Sequence, residues 1–152
     1  MTGTTERAFF RDLYFGAALV AALPFWALLW WLNRSSEMPA PLPSQLSAAL
    51  MIVVVYPVVE ELVFRGALQG FLLQKIQRRL PGPMTAANII TSIVFAALHA
   101  IVWATPWSLL VVIPSLVYGY FRDRTDGVTA SIVLHMYYNA GFFLVTLAPG
   151  SA

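Results

Sequence analysis

The chain has 152 residues, of which 59% are hydrophobic and only 11% are charged, and its net charge is +2. A soluble domain carries about 25% charged residues, so this composition excludes an ordinary water-exposed surface and indicates one domain that faces lipid. The absence of cysteine excludes disulfides, thiolate metal sites and a cysteine nucleophile. The nine basic residues lie in short clusters and not in one patch, which argues against a nucleic-acid partner.

Five apolar segments follow one another along the chain, separated by charged or proline-rich stretches. The first runs from 13 to 32 without a charge and is long enough to cross about 30 Å of hydrocarbon. A signal peptide is the alternative interpretation, but the tryptophan-rich end of this segment lacks the small residues of a cleavage site. We therefore predict an all-α bundle of about five transmembrane helices in a single membrane domain, residues 1–152, with spans at 13–32, 45–73, 84–104, 107–121 and 128–148.

The basic residues of the loops predict the orientation of these helices. With the N-terminus inside, seven of them lie on the cytoplasmic side and only Arg34 lies outside. This distribution satisfies the positive-inside rule, so we expect the N-terminus inside and the C-terminus outside. Short loops without an organelle signal lead us to expect a multi-pass protein of the plasma (inner) membrane. The seven inside residues are Arg7, Arg11, Lys75, Arg78, Arg79, Arg122 and Arg124.

The second apolar segment carries three charged residues, Glu60, Glu61 and Arg65, where lipid is expected. Each unpaired charge at a helix centre costs roughly 2.5–3.5 kcal/mol, so the three must pair or face a wet cavity. Glu61 and Arg65 are four residues apart on one helical face and are predicted to pair. Glu60 lies about 100° round the helix and is left free for chemistry. Pro57 can kink the helix and admit water, although proline in a membrane helix need not mean anything.

The two histidines of the chain also lie within predicted spans. His99 is on the third span, and His135 is on the fifth, four residues before Asn139 and on the same face. A single buried histidine is more often a hydrogen-bonding contact between helices than a catalyst. Two histidines, an asparagine and a spare glutamate from three helices instead indicate a functional site, since ionisable groups inside a membrane are functional candidates by default.

These residues belong to three motifs that occur in a fixed order, each on an apolar segment. The order and content resemble the CPBP family, which contains the CAAX prenyl endopeptidases and the bacteriocin-processing or immunity (Abi) proteins. The likeness covers residues 50–143 as a catalytic core, and 13–49 form an N-terminal span and loop outside it. The motifs are Glu60-Glu61-Leu-Val-Phe-Arg65-Gly66, Phe95-x-x-x-His99 and His135-x-x-x-Asn139.

The resemblance implies a glutamate-dependent intramembrane endopeptidase that needs no cofactor. Glu60 and His99 would activate water, and His135 and Asn139 would hold the oxyanion. Glu61 and Arg65 would support that geometry. The expected partners are the lipid bilayer and a protein or peptide substrate with a membrane-anchored tail.

The residue types are consistent with that chemistry, because peptide hydrolysis needs a base for water, donors for the oxyanion and an acid for the leaving amine. Zinc is the rival, with Glu60, His99 and His135 as a His₂Glu ligand set, although Asn139 would then lack an obvious role. With the predicted span bounds, His99 lies nearer the outer face than His135. Tilt or a shifted boundary is needed to bring the two imidazoles level.

Two hypotheses from other classes remain open at this point. A non-enzymatic immunity or scaffold protein could use the same polar cluster to hold its helices together. A proton-coupled carrier could use it as a proton relay, although we find no internal repeat of the kind that many transporters contain.

Overall fold

The computed structural model describes residues 6–33, 42–76 and 83–147, and every element in these ranges is helical. Short 3₁₀ helices at Glu6–Arg11 and Pro106–Val111 precede the first and fourth long helices. The predicted all-α bundle is confirmed. Its five long helices are α1 (Leu13–Asn33), α2 (the continuous segment 42–75), α3 (Ala86–Trp103), α4 (Val112–Thr125) and α5 (Thr129–Leu147).

Three helices of the described ranges are long and apolar enough to cross a membrane: Leu13–Leu32, Leu46–Lys75 and Ala86–Trp103. Large apolar side chains such as Ile101 and Val102 point outward and are 74% exposed, an arrangement that suits lipid and not water. The chain is therefore a membrane protein.

The remaining predicted boundaries agree with the structure to different degrees. The predicted fourth span, 107–121, consists of a 3₁₀ helix followed by most of α4, and the fifth corresponds to α5. The total of five crossings and the N-in orientation stay predictions. Most of the predicted proline-rich loop (34–41) and of the break after α2 (77–82) lies outside the described residues.

α5 lies at the centre of the bundle and packs against α1, α2 and α4. Its contact with α1 is close at Gly141, where an added Cβ would lie 2.0 Å from a carbon of the Trp26 ring. The Tyr138 hydroxyl donates a hydrogen bond of 2.7 Å to the Ala18 carbonyl oxygen. These contacts fix the rotation of α5, and the face that carries His135 and Asn139 is held towards α2.

α2 is not a regular α-helix, because π-helical stretches at Leu50–Val55 and Leu62–Gln69 flank the α-helical turns Tyr56–Glu61. Its buried residues recur every fourth position, at Pro57, Glu61, Arg65 and Gln69. In an ideal α-helix each such step would turn by about 40°, which would carry the last of them away from the first. π turns contain more residues than α turns and reduce that drift, so the four residues form one stripe.

The carbonyl oxygens of α4 accept hydrogen bonds from polar side chains on three neighbouring helices. Arg65 of α2 donates to Ser115 O (3.1 Å), Gln69 of α2 and Asn88 of α3 donate to Gly119 O and Leu116 O (both 3.0 Å), and Ser131 of α5 donates to Tyr118 O (2.7 Å). α3 approaches so closely that a Cβ on Gly119 would lie 1.9 Å from Asn88 Oδ1. Buried polar groups stay in hydrocarbon only when they are bonded in this way.

Candidate active site

The carboxylate of Glu60 lies between the two imidazoles of the chain. Glu60 Oε1 is 3.9 Å from His99 Nε2, and Glu60 Oε2 is 3.6 Å from His135 Nε2. α2, α3 and α5 each contribute one of these side chains, as the sequence predicts. The expected difference in depth between the imidazoles does not keep them apart, because both reach the same carboxylate.

Phe95 holds His99 through both its backbone and its ring. The Phe95 carbonyl oxygen lies 3.0 Å from His99 Nδ1, and a carbonyl can only accept, so Nδ1 carries the proton. In the neutral ring, Nε2 then carries the lone pair and faces Glu60. The Phe95 ring lies 4.3 Å from the His99 ring and 6.0 Å from the His135 ring, between centroids. The four-residue spacing of Phe95-x-x-x-His99 therefore fixes both the tautomer and the position of the imidazole.

His135 is oriented from behind by Glu61, which is fully buried. His135 Nδ1 lies 3.0 Å from Glu61 Oε1, and Arg65 Nε lies 3.1 Å from Glu61 Oε2. The predicted ion pair between Glu61 and Arg65 is thus present. Arg65 is anchored in turn by a 2.7 Å hydrogen bond from Nη2 to the Ser115 hydroxyl. The ring of Tyr118 stacks on the His135 ring, with centroids 4.7 Å apart and planes inclined by 18°.

The charges of this cluster balance when His135 is protonated. Glu60, Glu61 and Arg65 alone carry one net negative charge, which would be costly at this depth. His135 presents one ring nitrogen to each carboxylate, so its imidazolium form cancels that charge.

Asn139 lies on the same face of α5 as His135 but contacts a different part of α2. Its side-chain nitrogen donates a 2.9 Å hydrogen bond to the carbonyl oxygen of Ile52, in the π-helical stretch before Pro57. The amide carries two N–H groups, and this bond uses one of them. The structure therefore brings Glu60, His99 and His135 directly together and binds Asn139 to the backbone of the helix that carries Glu60.

Exposure distinguishes the residues that a substrate can reach from those that hold the site. The side chains of Glu60 and His99 are 29% and 21% exposed, whereas His135 is 6% exposed and Glu61 and Arg65 are 0% exposed. The Glu60–His99 side is therefore the accessible side of this cluster. In the described part of the chain, no group of three or more His, Cys, Asp or Glu side chains is arranged to hold a metal ion.

The sequence profile of type II CAAX prenyl endopeptidases, described as Rce1-like, matches residues 42–141, which is about two thirds of the chain. This chain belongs to the Rce1-like family. No curated protein and no solved structure matches it. The resemblance drawn from the three motifs is confirmed, and the matched range begins with α2 and ends within α5.

Membership of the Rce1-like family makes the chain a CAAX-type intramembrane endopeptidase in general terms. α1 lies outside the matched range.

The sequence prediction missed Tyr118, Ser115 and Gln69, which contact His135, Arg65 and α4 respectively. Gln69 follows Arg65 by four residues, as Arg65 follows Glu61, and that spacing is the signal that points to it.

Proposed function

We propose that this chain is a glutamate-dependent intramembrane endopeptidase in which Glu60 and His99 activate a water molecule. The supporting observation is the position of the Glu60 carboxylate between two imidazole nitrogens contributed by two other helices. At 3.9 Å, Glu60 Oε1 and His99 Nε2 are too far apart for a good direct hydrogen bond and suit a bridging water. Both are also the exposed members of the cluster.

The second imidazole and the asparagine are the proposed oxyanion donors. A protonated His135, held by Glu61, presents its Nε2–H towards the reacting side of Glu60. The N–H of Asn139 that is not bonded to Ile52 is the second donor. Preorganised donors of this kind stabilise the charge that develops on the carbonyl oxygen and are each worth about 2.7–4 kcal/mol of barrier.

Proton transfers complete the hydrolysis without an additional reactant. Glu60 accepts one proton as the water oxygen bonds to the scissile carbonyl carbon. When the tetrahedral intermediate collapses and the carbon–nitrogen bond breaks, the proton passes to the leaving amine, directly from Glu60 or through His99. A general base and acid in this position contribute about 10²–10⁴ in rate.

The proposed substrate is a protein or peptide with a membrane-anchored tail, cleaved near the membrane or near its C-terminus. The family description names CAAX prenyl endopeptidases, so a farnesylated CAAX peptide is the first probe to use. The plasma (inner) membrane is the proposed location.

The proposal is tested by mass spectrometry of membrane proteins from cells with the wild-type chain, with Glu60→Gln and without the chain. Glu60→Gln keeps the size of the side chain and removes the base, so we expect new C-termini with the wild type and none with Glu60→Gln. Asp126→Asn is the matched control, since it removes a carboxylate that is 85% exposed and outside the cluster. Equal processing by wild type and Glu60→Gln at equal expression would favour the scaffold hypothesis. Proton flux into liposomes without any cleavage would favour the carrier.

A further inference from the structure

The backbone of α2 is irregular just before the residue that carries the proposed chemistry. In the π-helical stretch Leu50–Val55 the N–H of Tyr56 bonds to the carbonyl oxygen of Met51, five residues back. In the same register, the next carbonyl, that of Ile52, would receive its bond from the N–H of residue 57. Residue 57 is a buried proline and has no N–H to give.

A side chain from another helix takes the place of that missing donor. Asn139 of α5 donates to Ile52 O at 2.9 Å. An unpaired carbonyl inside a membrane protein is costly, and an asparagine amide supplies a strong N–H donor without adding a charge. Ile52 and Asn139 are 87 positions apart in the sequence, so this bond joins two distant segments of the chain.

This bond also determines where the rest of the amide can point. The Asn139 side chain is fixed at one N–H by a backbone oxygen, so its second N–H has a defined direction. His135 lies one turn earlier on the same face of α5 and contacts Glu60 and Glu61. Both proposed oxyanion donors are therefore set against α2, one through the Glu61 carboxylate and the other through the carbonyl that Pro57 leaves without a backbone donor.

We propose that Pro57 is a positioning residue: by withholding a backbone N–H, it reserves the Ile52 carbonyl for Asn139 and so orients the amide that serves the oxyanion. Its effect on rate rests on the proposed function, whereas its effect on the Asn139–Ile52 bond does not. Replacing Pro57 by alanine restores an N–H that competes for the Ile52 carbonyl and releases Asn139.

The bond can be measured without any substrate. With asparagine labelled by ¹⁵N in the side chain and isoleucine labelled by ¹³C at the carbonyl, solid-state NMR reports the dipolar coupling between Asn139 and Ile52. The signal of this pair is the part of the coupling that disappears in Asn139→Ala. The side-chain amide of Asn88, which donates to Leu116, is present in both proteins and cancels in the difference. We expect Pro57→Ala to lose the same part. Retention of the coupling in Pro57→Ala would overturn the proposal.

Kinetics with the farnesylated CAAX peptide test the consequence for catalysis. A misplaced donor weakens only the transition state, so we expect Pro57→Ala to lower kcat roughly 10- to 100-fold with little change in KM. Thermal unfolding should occur at the same or a higher temperature, because proline disfavours a helix interior. Pro24→Ala in α1 is the matched control and should leave kcat unchanged.

A double-variant cycle separates positioning from a structural role. In an Asn139→Ala background, Pro57→Ala should cause no further loss of kcat, since the amide that it orients is already absent. An equal loss in both backgrounds would show that Pro57 acts elsewhere. If wild type does not cleave the probe at all, the proposed function fails for that substrate, and the NMR coupling still decides whether Pro57 controls Asn139.

Discussion

α1 and α2 are both long apolar helices, but their interiors differ. α1 has 21 residues, contains no acidic or basic side chain and lies outside the range matched by the family. α2 carries Glu60, Glu61 and Arg65 in its middle, and two π-helical stretches flank the turns that hold the carboxylates. α1 meets the bundle mainly through rings such as Phe15 and Trp26, whereas α2 meets it through ion pairs and hydrogen bonds.

The comparison shows where this small chain tolerates unfavourable local structure. Buried charges, π turns and an internal proline all cost free energy in a membrane helix, and all of them occur in α2 within a few turns of Glu60. The buried charges and the proline have specific partners: Glu61 faces His135, Arg65 bonds to Ser115, and the carbonyl beside Pro57 accepts from Asn139. Departures from regular structure that have such specific partners are expected at functional sites. α1 contains Pro24 but no charge and no π turn, and it is expected to anchor and support the bundle.

The largest expected effect comes from removing the cation of α2. Arg65→Met removes the arginine partner of the fully buried Glu61 and leaves it only His135, and breaking a buried pair costs about 3–5 kcal/mol. We expect the melting temperature in detergent to fall sharply. The double variant Glu61→Gln with Arg65→Met should recover part of the loss, and Lys75→Met, at the exposed end of α2, should have little effect. Equal stability of Arg65→Met and wild type would mean that the ion pair does not hold the helix.

A medium effect is expected where α1 meets α5. Gly141→Ala places a Cβ 2.0 Å from the Trp26 ring, so that α1 must shift, and overpacking of this kind costs about 1–3 kcal/mol. Thermal unfolding should report the loss, while kcat of the folded protein should be unchanged because α1 contributes nothing to the cluster around Glu60. A fall in kcat at temperatures well below unfolding would contradict the division of roles between α1 and α2.

A smaller effect is expected at the start of α1, outside the hydrocarbon. Asp12 pairs with Arg124 of α4, and the hydrogen bond from Arg124 lowers the pKa of Asp12. A carboxylate with a lowered folded-state pKa stabilises the fold above its ordinary pKa, about 3.9, and loses that contribution as the pH falls through the folded value. Asp12→Asn should therefore cost less than about 1 kcal/mol near neutral pH. The difference from wild type should vanish in acid, and a constant difference in unfolding at all pH values would count against the pair.

Removal of metal is expected to have no effect. In our proposal Glu60 and His99 activate the water without a metal ion. Prolonged dialysis against a chelator should therefore leave cleavage of the farnesylated peptide unchanged. The zinc alternative, with Glu60, His99 and His135 as ligands, predicts loss of activity and its return on adding zinc. Measuring cleavage before dialysis, after it and after adding zinc decides between the two.

The free-energy cost of polar groups in lipid is what made much of the site predictable from the sequence. It identified Glu60, His99 and His135 as candidates for a functional site inside the bundle, and the structure brings them together. It also predicted the Glu61–Arg65 pair, because four-residue spacing places both on one helical face.

Two features were outside the reach of the sequence pattern, for physical reasons. The bond from Asn139 to Ile52 involves a backbone carbonyl, which every residue possesses, so no residue type indicates it. The positions of His99 and His135 along the membrane normal likewise depend on how the helices pack. The bounds of the predicted spans do not describe that packing.

The most direct test of the account is the rate of farnesylated-peptide cleavage by purified Glu60→Gln in liposomes, compared with wild type and Asp126→Asn. We predict that Glu60→Gln lowers the cleavage rate about 10²- to 10⁴-fold and leaves thermal unfolding unchanged. Asp126→Asn should keep full activity. Cleavage by Glu60→Gln at the wild-type rate would show that the carboxylate between the two imidazoles does not activate the water.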